Sequence, residues 1–270
     1  MALRETWAAL LVAHAFCLAP HAAAQTSPAE QAEFLRTAKI VSAAPIGKGV
    51  TRPFRLTLTD GRVTHDAAFQ SVDEERRTAR TGRGGALELK FVDSWRFNVA
   101  AHRLSALLGI PDMIPVAVER TWNGKKGALT WWVDDVLMDE AERHRTGAAP
   151  PDPRDWMRQQ MRMRVFTQLA HDTDRNQGNI LITKDWRLVM IDFSRAFRSW
   201  ETVPEPLVTL RRCDRALLAA MRNLTRDSVR QSAGDYLTTF EVDALLARRN
   251  ILVAHFDALI KTVGEANVLY

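Results

Sequence analysis

Apolar positions fall in short runs between residues 39 and 133, then recur at helical spacing from residue 155 onward. Residues 39–46, 52–59 and 62–70 read as β-rich runs, parted by Gly47-Lys48-Gly49 and by Asp60-Gly61, the latter a two-residue hairpin turn. Residues 71–87 are charged and glycine-containing and read as a loop. Residues 93–108 carry Val99, Leu104, Leu107 and Leu108 at helical spacing, and Gly109-Ile110-Pro111 stops that helix. Two more strands, 114–120 and 128–133, follow around a turn at Asn123-Gly124. Residues 134–155 are acidic and then proline-rich (Pro150, Pro151, Pro153), as expected of a connection with a short helical insert.

The second half reads as helical. Residues 155–171 present Met161, Val165 and Leu169 on one face, with Met163, Phe166 and Ala170 beside them. Further helices are expected at 206–224 and 240–263, the last opened by a capping box of Thr238 and Glu241. Residues 27–38 read as a short helix or a loose lead-in. The pattern predicts an α+β chain, strand-rich first and helical afterwards.

Candidate chemistry sits where the two regimes meet. Asp174-Arg175-Asn176-Gln177-Gly178-Asn179 follows an apolar helix end and precedes the strand-like Ile180-Leu181-Ile182. Thr183-Lys184-Asp185-Trp186 reads as a turn, and a second strand, 187–191, leads into Asp192-Phe193. Two short strands joined in this way return Asp192 to Asn179. A carboxylate in the loop can orient or accept a hydroxyl proton, an amide oxygen suits a divalent cation, and a second carboxylate supplies the charge to hold it. An Asp, an Asn five positions on and an Asp thirteen further is the order that phosphoryl transfer uses in kinases.

The block from residue 164 to residue 197 resembles the atypical kinase superfamily, which includes the phosphatidylinositol 3- and 4-kinases, the HipA-type toxin kinases and the secretory-pathway casein kinase of the Golgi. The resemblance implies a two-lobed protein-kinase-like fold with a strand-rich N-lobe and a helical C-lobe. It implies ATP between the lobes, Asp174 as catalytic base, and Asn179 and Asp192 as ligands of Mg²⁺ or Mn²⁺. The corresponding organisation is a signal peptide over 1–24, a lead-in over 25–38, the N-lobe over 39–135, the interlobe connection over 136–155 and the C-lobe over 156–270. Gly47 and Gly49 fall where a phosphate-covering loop would lie. Gln70 falls where the third strand of a kinase carries its lysine, and Asn98 where the partner glutamate stands. Two amides can bond to each other, but they cannot supply positive charge. Lys48 and Lys90 are the nearby candidates for that charge, and Ser194 stands where the metal-binding triplet usually has glycine.

The 270 residues, 46% apolar, suffice for one packed two-lobed domain, and the net charge of +5 comes from scattered arginines rather than a nucleic-acid-binding tract. Arg4, the apolar stretch 7–18, Pro20 and Ala22-Ala23-Ala24 form an export signal, so the mature chain is expected to be periplasmic or secreted with no membrane span. Cys213 is then the one cysteine of the mature chain and reads as structural. Trp131 or Trp132 could face an adenine ring. Asp172-Thr173-Asp174 begins like a calcium loop but meets Gln177 and Thr183 where Gly and Glu are required. The histidines share no ligand spacing. Two readings remain open: a metal-dependent phosphotransferase using ATP on a protein, lipid or sugar hydroxyl, and a pseudokinase that binds nucleotide or a partner without turnover.

Overall fold

A computed structural model describes residues 26–47, 52–81 and 86–270. The export-signal expectation, Cys17, Lys48 and Gly49 lie outside the described residues. A five-stranded antiparallel sheet is built from β1 (Lys39–Pro45), β2 (Phe54–Thr59), β3 (Thr64–Gln70), β6 (Ala117–Trp122) and β7 (Lys125–Trp131), in the order β1-β2-β3-β7-β6. Alternation decides which face is buried: Leu56 and Leu58 on β2 and Ala67 and Phe69 on β3 point inward. They pack with Leu35, Val118 and Leu129 under helix α1 (Pro28–Thr37). Ser27 and Glu30 make a capping box at the start of α1. At its other end the Arg120 guanidinium donates to the carbonyls of Leu35 and Ala38, both at 2.6 Å, taking up acceptors that the helix leaves open.

The loop expected over 71–87 is corrected: among the described residues, 73–81 and 86–87 lie in strands. These strands are β4 (Asp73–Thr81) and β5 (Ala86–Ser94), antiparallel and paired from Asp73↔Ser94 to Thr81↔Ala86. Their sequence concealed them because β4 reads Asp-Glu-Glu-Arg-Arg-Thr-Ala-Arg-Thr and has no apolar face to bury. Helix α2 accordingly starts later than its periodicity predicts, at Arg96, and runs to Leu107 with Phe97, Ala100, Ala101 and Leu104 buried.

The chain then enters β8 (Val136–Asp139) and α3 (Glu140–Thr146), which supply the expected helical insert. β8 pairs with β9 (Ile180–Thr183), and β9 pairs with β10 (Leu188–Met190). The long helix α4 (Pro153–Ala170) starts on an Asp152 cap. It packs against α7 (Thr239–Val263), which opens on the expected Thr238–Glu241 capping box. The helix expected over 206–224 is shorter: α5 covers Arg215–Asn223 and starts on an Asp214 cap. Cys213 precedes that helix, buried, with its backbone bridged to Leu269. A further helix, α6 (Arg226–Ala233), follows a Thr225–Ser228 capping box and packs against α2 and α7. The large core joins α2 to the second half through contacts such as Phe97 with Phe197, and within that half Phe166 meets Phe193 edge-on. No helix of the described residues is long and apolar enough to cross a membrane.

Candidate active site

α4 ends at His171, whose left-handed backbone (φ 47°) turns the chain into the loop bearing Asp174. Within that loop Asp172 accepts from the Asp174 amide at 3.1 Å, and Asn176 caps the turn over residues 177–179 by accepting from Gly178. Arg175 is the hub. Its guanidinium bonds to the Asp172 carboxylate and donates to the carbonyl of Asn179 at 2.9 Å, to that of Ile191, and to that of Asp192 at 3.3 Å. The side chains of the Arg175–Asp172 pair are 8% and 1% exposed, so Arg175 is a buried clamp and not a solvated neighbour of Asp174. Its plane also lies 4.3 Å from the centre of the Phe193 ring. One cation thus holds together the three segments that carry Asp174, Asn179 and Asp192.

The Ile191 amide donates to the Asn179 carbonyl at 3.0 Å, extending the β9–β10 pairing and setting Asp192 beside Asn179. The Asn179 amide group donates to the Asp174 carbonyl at 3.3 Å, so its Oδ1 is the atom left to meet a cation. Asp192 itself adopts a left-handed backbone (φ 55°), a conformation that non-glycine residues hold at some cost. Its Oδ1 accepts from the Ser194 amide and from Gln70 Nε2, both at 3.3 Å. No trio of acidic, histidine or cysteine side chains among the described residues could hold a metal by itself. One carboxylate and one amide oxygen nevertheless suit Mg²⁺ or Mn²⁺, hard cations that complete their shells with phosphate oxygens and water.

Gln70 and Asn98 bond to each other. Asn98 Nδ2 donates to Gln70 Oε1 at 2.7 Å, and Asn98 Oδ1 accepts from the Phe193 amide at 2.9 Å. A neutral relay therefore runs from β3 through α2 to both Asp192 and Phe193. Gly127 on β7 lets β7 lie close to β3 beside Gln70: a β-carbon there would lie 2.5 Å from the Gln70 carbonyl oxygen and 2.7 Å from the Phe69 ring. Gly47 stands at the end of β1 with open space around its α-carbon.

Electrostatics set Asp174 apart. Burial pushes its carboxyl pKa up, the Arg195 charge opposes that shift, and Asp192 adds to it. Asp93, at the end of β5, is likewise pushed up by burial, with Asp192 contributing. Burial lowers His171 to about 4, helped by Arg248, so the loop starts on a neutral imidazole at pH 7. Trp131 and Trp132 each have one ring face covered. Trp131 stacks on His65 at 3.7 Å and meets Phe34 edge-on, while Arg55 covers Trp132 at 4.3 Å. Lys90 rests 4.6 Å over the Trp200 ring.

No protein-family model matches the chain, and no curated protein matches it in sequence. Solved structures do. Hydra Fam20, solved with sugar, superposes with a TM-score of 0.67 at 17% identity, over 90% of this chain and 91% of that one. The Golgi casein kinase with Mn and ADP bound gives 0.63 at 12% identity, over 90% and 78%. The Helicobacter pylori proinflammatory kinase CtkA gives 0.56 at 11% identity, over 85% and 98%. The fold is kinase-like. Its antiparallel first half and helical second half match those of these structures, and in this kinase-like frame the Gln70–Asn98 relay spans β3 and α2. Periodicity could not reveal the Arg175 clamp, the β4–β5 pairing or the ion pairs of Glu88 on β5 with Arg195 and Arg198. The one sequence signal for the clamp is Asp172 standing three residues before Arg175.

Proposed function

We propose that this chain is a metal-dependent, kinase-like phosphotransferase that moves the γ-phosphoryl group of ATP to a hydroxyl acceptor on a protein, lipid or sugar. The observation that carries the reading is the Arg175 clamp, which fixes the Asp174, Asn179 and Asp192 segments around one guanidinium. Asp192 and Asn179 would hold the divalent cation, which neutralises phosphate charge when bound. Asp174 orients the acceptor hydroxyl and takes its proton as the acceptor oxygen bonds to phosphorus and the bond to the departing diphosphate breaks. Its raised pKa reflects a partly dry position, which strengthens its hydrogen bond to that hydroxyl. The Gln70–Asn98 relay keeps the Asp192 carboxylate turned toward its task. Likeness to the Golgi casein kinase solved with Mn and ADP supports nucleotide and divalent metal as cofactors, and the residue 1–24 pattern supports an exported location.

A second reading, a pseudokinase that binds nucleotide or a partner without turnover, is favoured by one observation: the relay is neutral where kinases carry an ion pair. Purified mature protein incubated with radiolabelled ATP and Mn²⁺ separates the two. Self-labelling that disappears in Asp192→Ala and Asp174→Ala supports turnover. Metal-dependent thermal stabilisation by ATP without any labelling supports the second reading. Labelling that survives Asp192→Ala refutes the assignment of these residues.

A further inference from the structure

We infer that Arg195 is the cation this site presents to the phosphates of its nucleotide, taking over the charge that the β3 position lacks. The inference rests on the phosphotransferase reading and deepens it by assigning a phosphate-binding residue.

The need is plain from the relay. Gln70 is neutral and bonded to Asn98 and Asp192, so position 70 delivers no charge. Lys90 stands over Trp200 on the exposed side of its strand. Arg175 is consumed by Asp172 and three carbonyls.

Arg195 differs from each of these. It directly follows Ser194, whose amide bonds to the Asp192 carboxylate and whose carbonyl accepts from the Ser94 amide at 2.7 Å, so its backbone is anchored beside the metal-binding Asp. Its side chain is 17% exposed, packed 5.1 Å over the Phe91 ring and ion-paired with Glu88, both on β5. Its charge is felt at Asp174 and at Asp93, which puts it within electrostatic range of the reacting centre.

Glu88 does not pair with Arg195 alone. The same carboxylate also pairs with Arg198, which is 3% exposed and anchored on the Val92 carbonyl at 2.7 Å. Two guanidinium groups therefore share that one carboxylate, with Asp93 as a second acidic neighbour of both. Arg195 Nε, in addition, is buried with no hydrogen-bond partner among the described residues, a donor still waiting for an acceptor. A guanidinium fork matches phosphate oxygens in pairs, as a lone ammonium does not. In the transfer step Arg195 makes and breaks no covalent bond. It binds the phosphates and opposes the negative charge gathered there.

Nucleotide affinity measured by calorimetry in Mn²⁺ tests this, with ATP and adenosine as probes of wild type, Arg195→Ala, Arg195→Gln and Arg195→Lys. The expected result is ATP binding about ten- to a hundredfold weaker in Arg195→Ala. Adenosine binding should be unchanged, and Arg195→Lys should recover part of the loss. If Arg195→Ala fails to fold, Arg195→Lys against Arg195→Gln decides, and equal ATP affinity of that pair overturns the inference. Wild-type ATP affinity in Arg195→Ala overturns it alone. A wild-type protein that binds no nucleotide overturns the phosphotransferase reading and this inference together.

Discussion

Asn98→Leu tests whether the amide relay is a structural lock or an incidental contact. Leucine keeps the branched shape and the four side-chain heavy atoms of asparagine, and position 98 is only 7% exposed, so the change removes hydrogen bonds without opening a void. Two bonds are lost, the donor to Gln70 Oε1 and the acceptor of the Phe193 amide. The Phe193 amide is then buried and unpaired, and Gln70 is released from one of its anchors. An orphaned buried group costs about 1–3 kcal/mol and a lost partly buried bond about 1 kcal/mol, so the variant should lose about 2–4 kcal/mol. For a chain of this size that is a fall in melting temperature of about 5–12 °C. Adding Gln70→Met removes the matching acceptor as well, so the double variant should lose about 1 kcal/mol less than the two single changes added together. Chemical denaturation of the four proteins of this cycle gives the coupling. The structural reasoning is refuted if Asn98→Leu loses less than 1 kcal/mol, or if the two changes simply add. The metal should respond too: Mn²⁺ affinity with ATP should fall, because Asp192 would be free to turn.

Other outcomes follow from neighbouring contacts. Gly127→Ala forces a β-carbon to within 2.5 Å of the Gln70 carbonyl oxygen, so β3 and β7 must part; stability should fall by about 2 kcal/mol with ATP affinity falling alongside, measured by denaturation and calorimetry. Arg175→Lys keeps the charge but loses the fork that spans Asp172 and three carbonyls, and should cost about 3 kcal/mol or more and abolish self-labelling, read by melting and by autoradiography. His102 and His171 are both held near a pKa of about 4 by burial, reinforced by Arg103 and Arg248, against 6.5 in the unfolded chain. Both are neutral in either state above pH 6.5; below it only the unfolded chain takes up the protons, so stability falls with pH down to about 4 and then levels off. Denaturation at pH 7 and pH 5 should show that loss, and His102→Gln with His171→Gln should flatten it.

Much of the frame was legible because period and burial agreed. Leu56, Leu58, Ala67 and Phe69 alternate, and the Thr238–Glu241 box announces α7 before any packing is known. The β4–β5 pair was illegible for the opposite reason. Its strands are held by backbone bonds and by ion pairs such as that of Glu88 with Arg195, more than 100 residues away, and a charged strand carries no apolar signature. The helix expected over 206–224 failed on competition. Asp214 caps a shorter helix, and the Cys213 backbone pairs with the far end of the chain. At the site, the spacing of Asp174, Asn179 and Asp192 gave the order of the groups but not what holds them. Arg175 looked ordinary in sequence because its partners are backbone carbonyls, which every residue has.

Gln70 and Asn98 look in sequence like a loss of function, yet the structure shows them as a complete hydrogen-bonded unit, and that changes what must be asked of them. A kinase ion pair does two jobs: it fixes a strand to a helix, and it carries charge to phosphate. Two amides do the first through bonds of 2.7 and 2.9 Å and cannot do the second. Turnover therefore hinges on whether charge is supplied elsewhere, and not on position 70. If Arg195 supplies it, restoring the usual pair by Gln70→Lys with Asn98→Glu should not raise self-labelling. The Phe193 amide would keep an acceptor, but a lysine at position 70 would bring a second cation toward a place that Arg195 already serves. If the charge is missing altogether, the same double change should create labelling in a silent protein. A rise of tenfold or more in the double variant, with Arg195→Ala making no difference to it, would reject the relocated charge and leave the chain a pseudokinase.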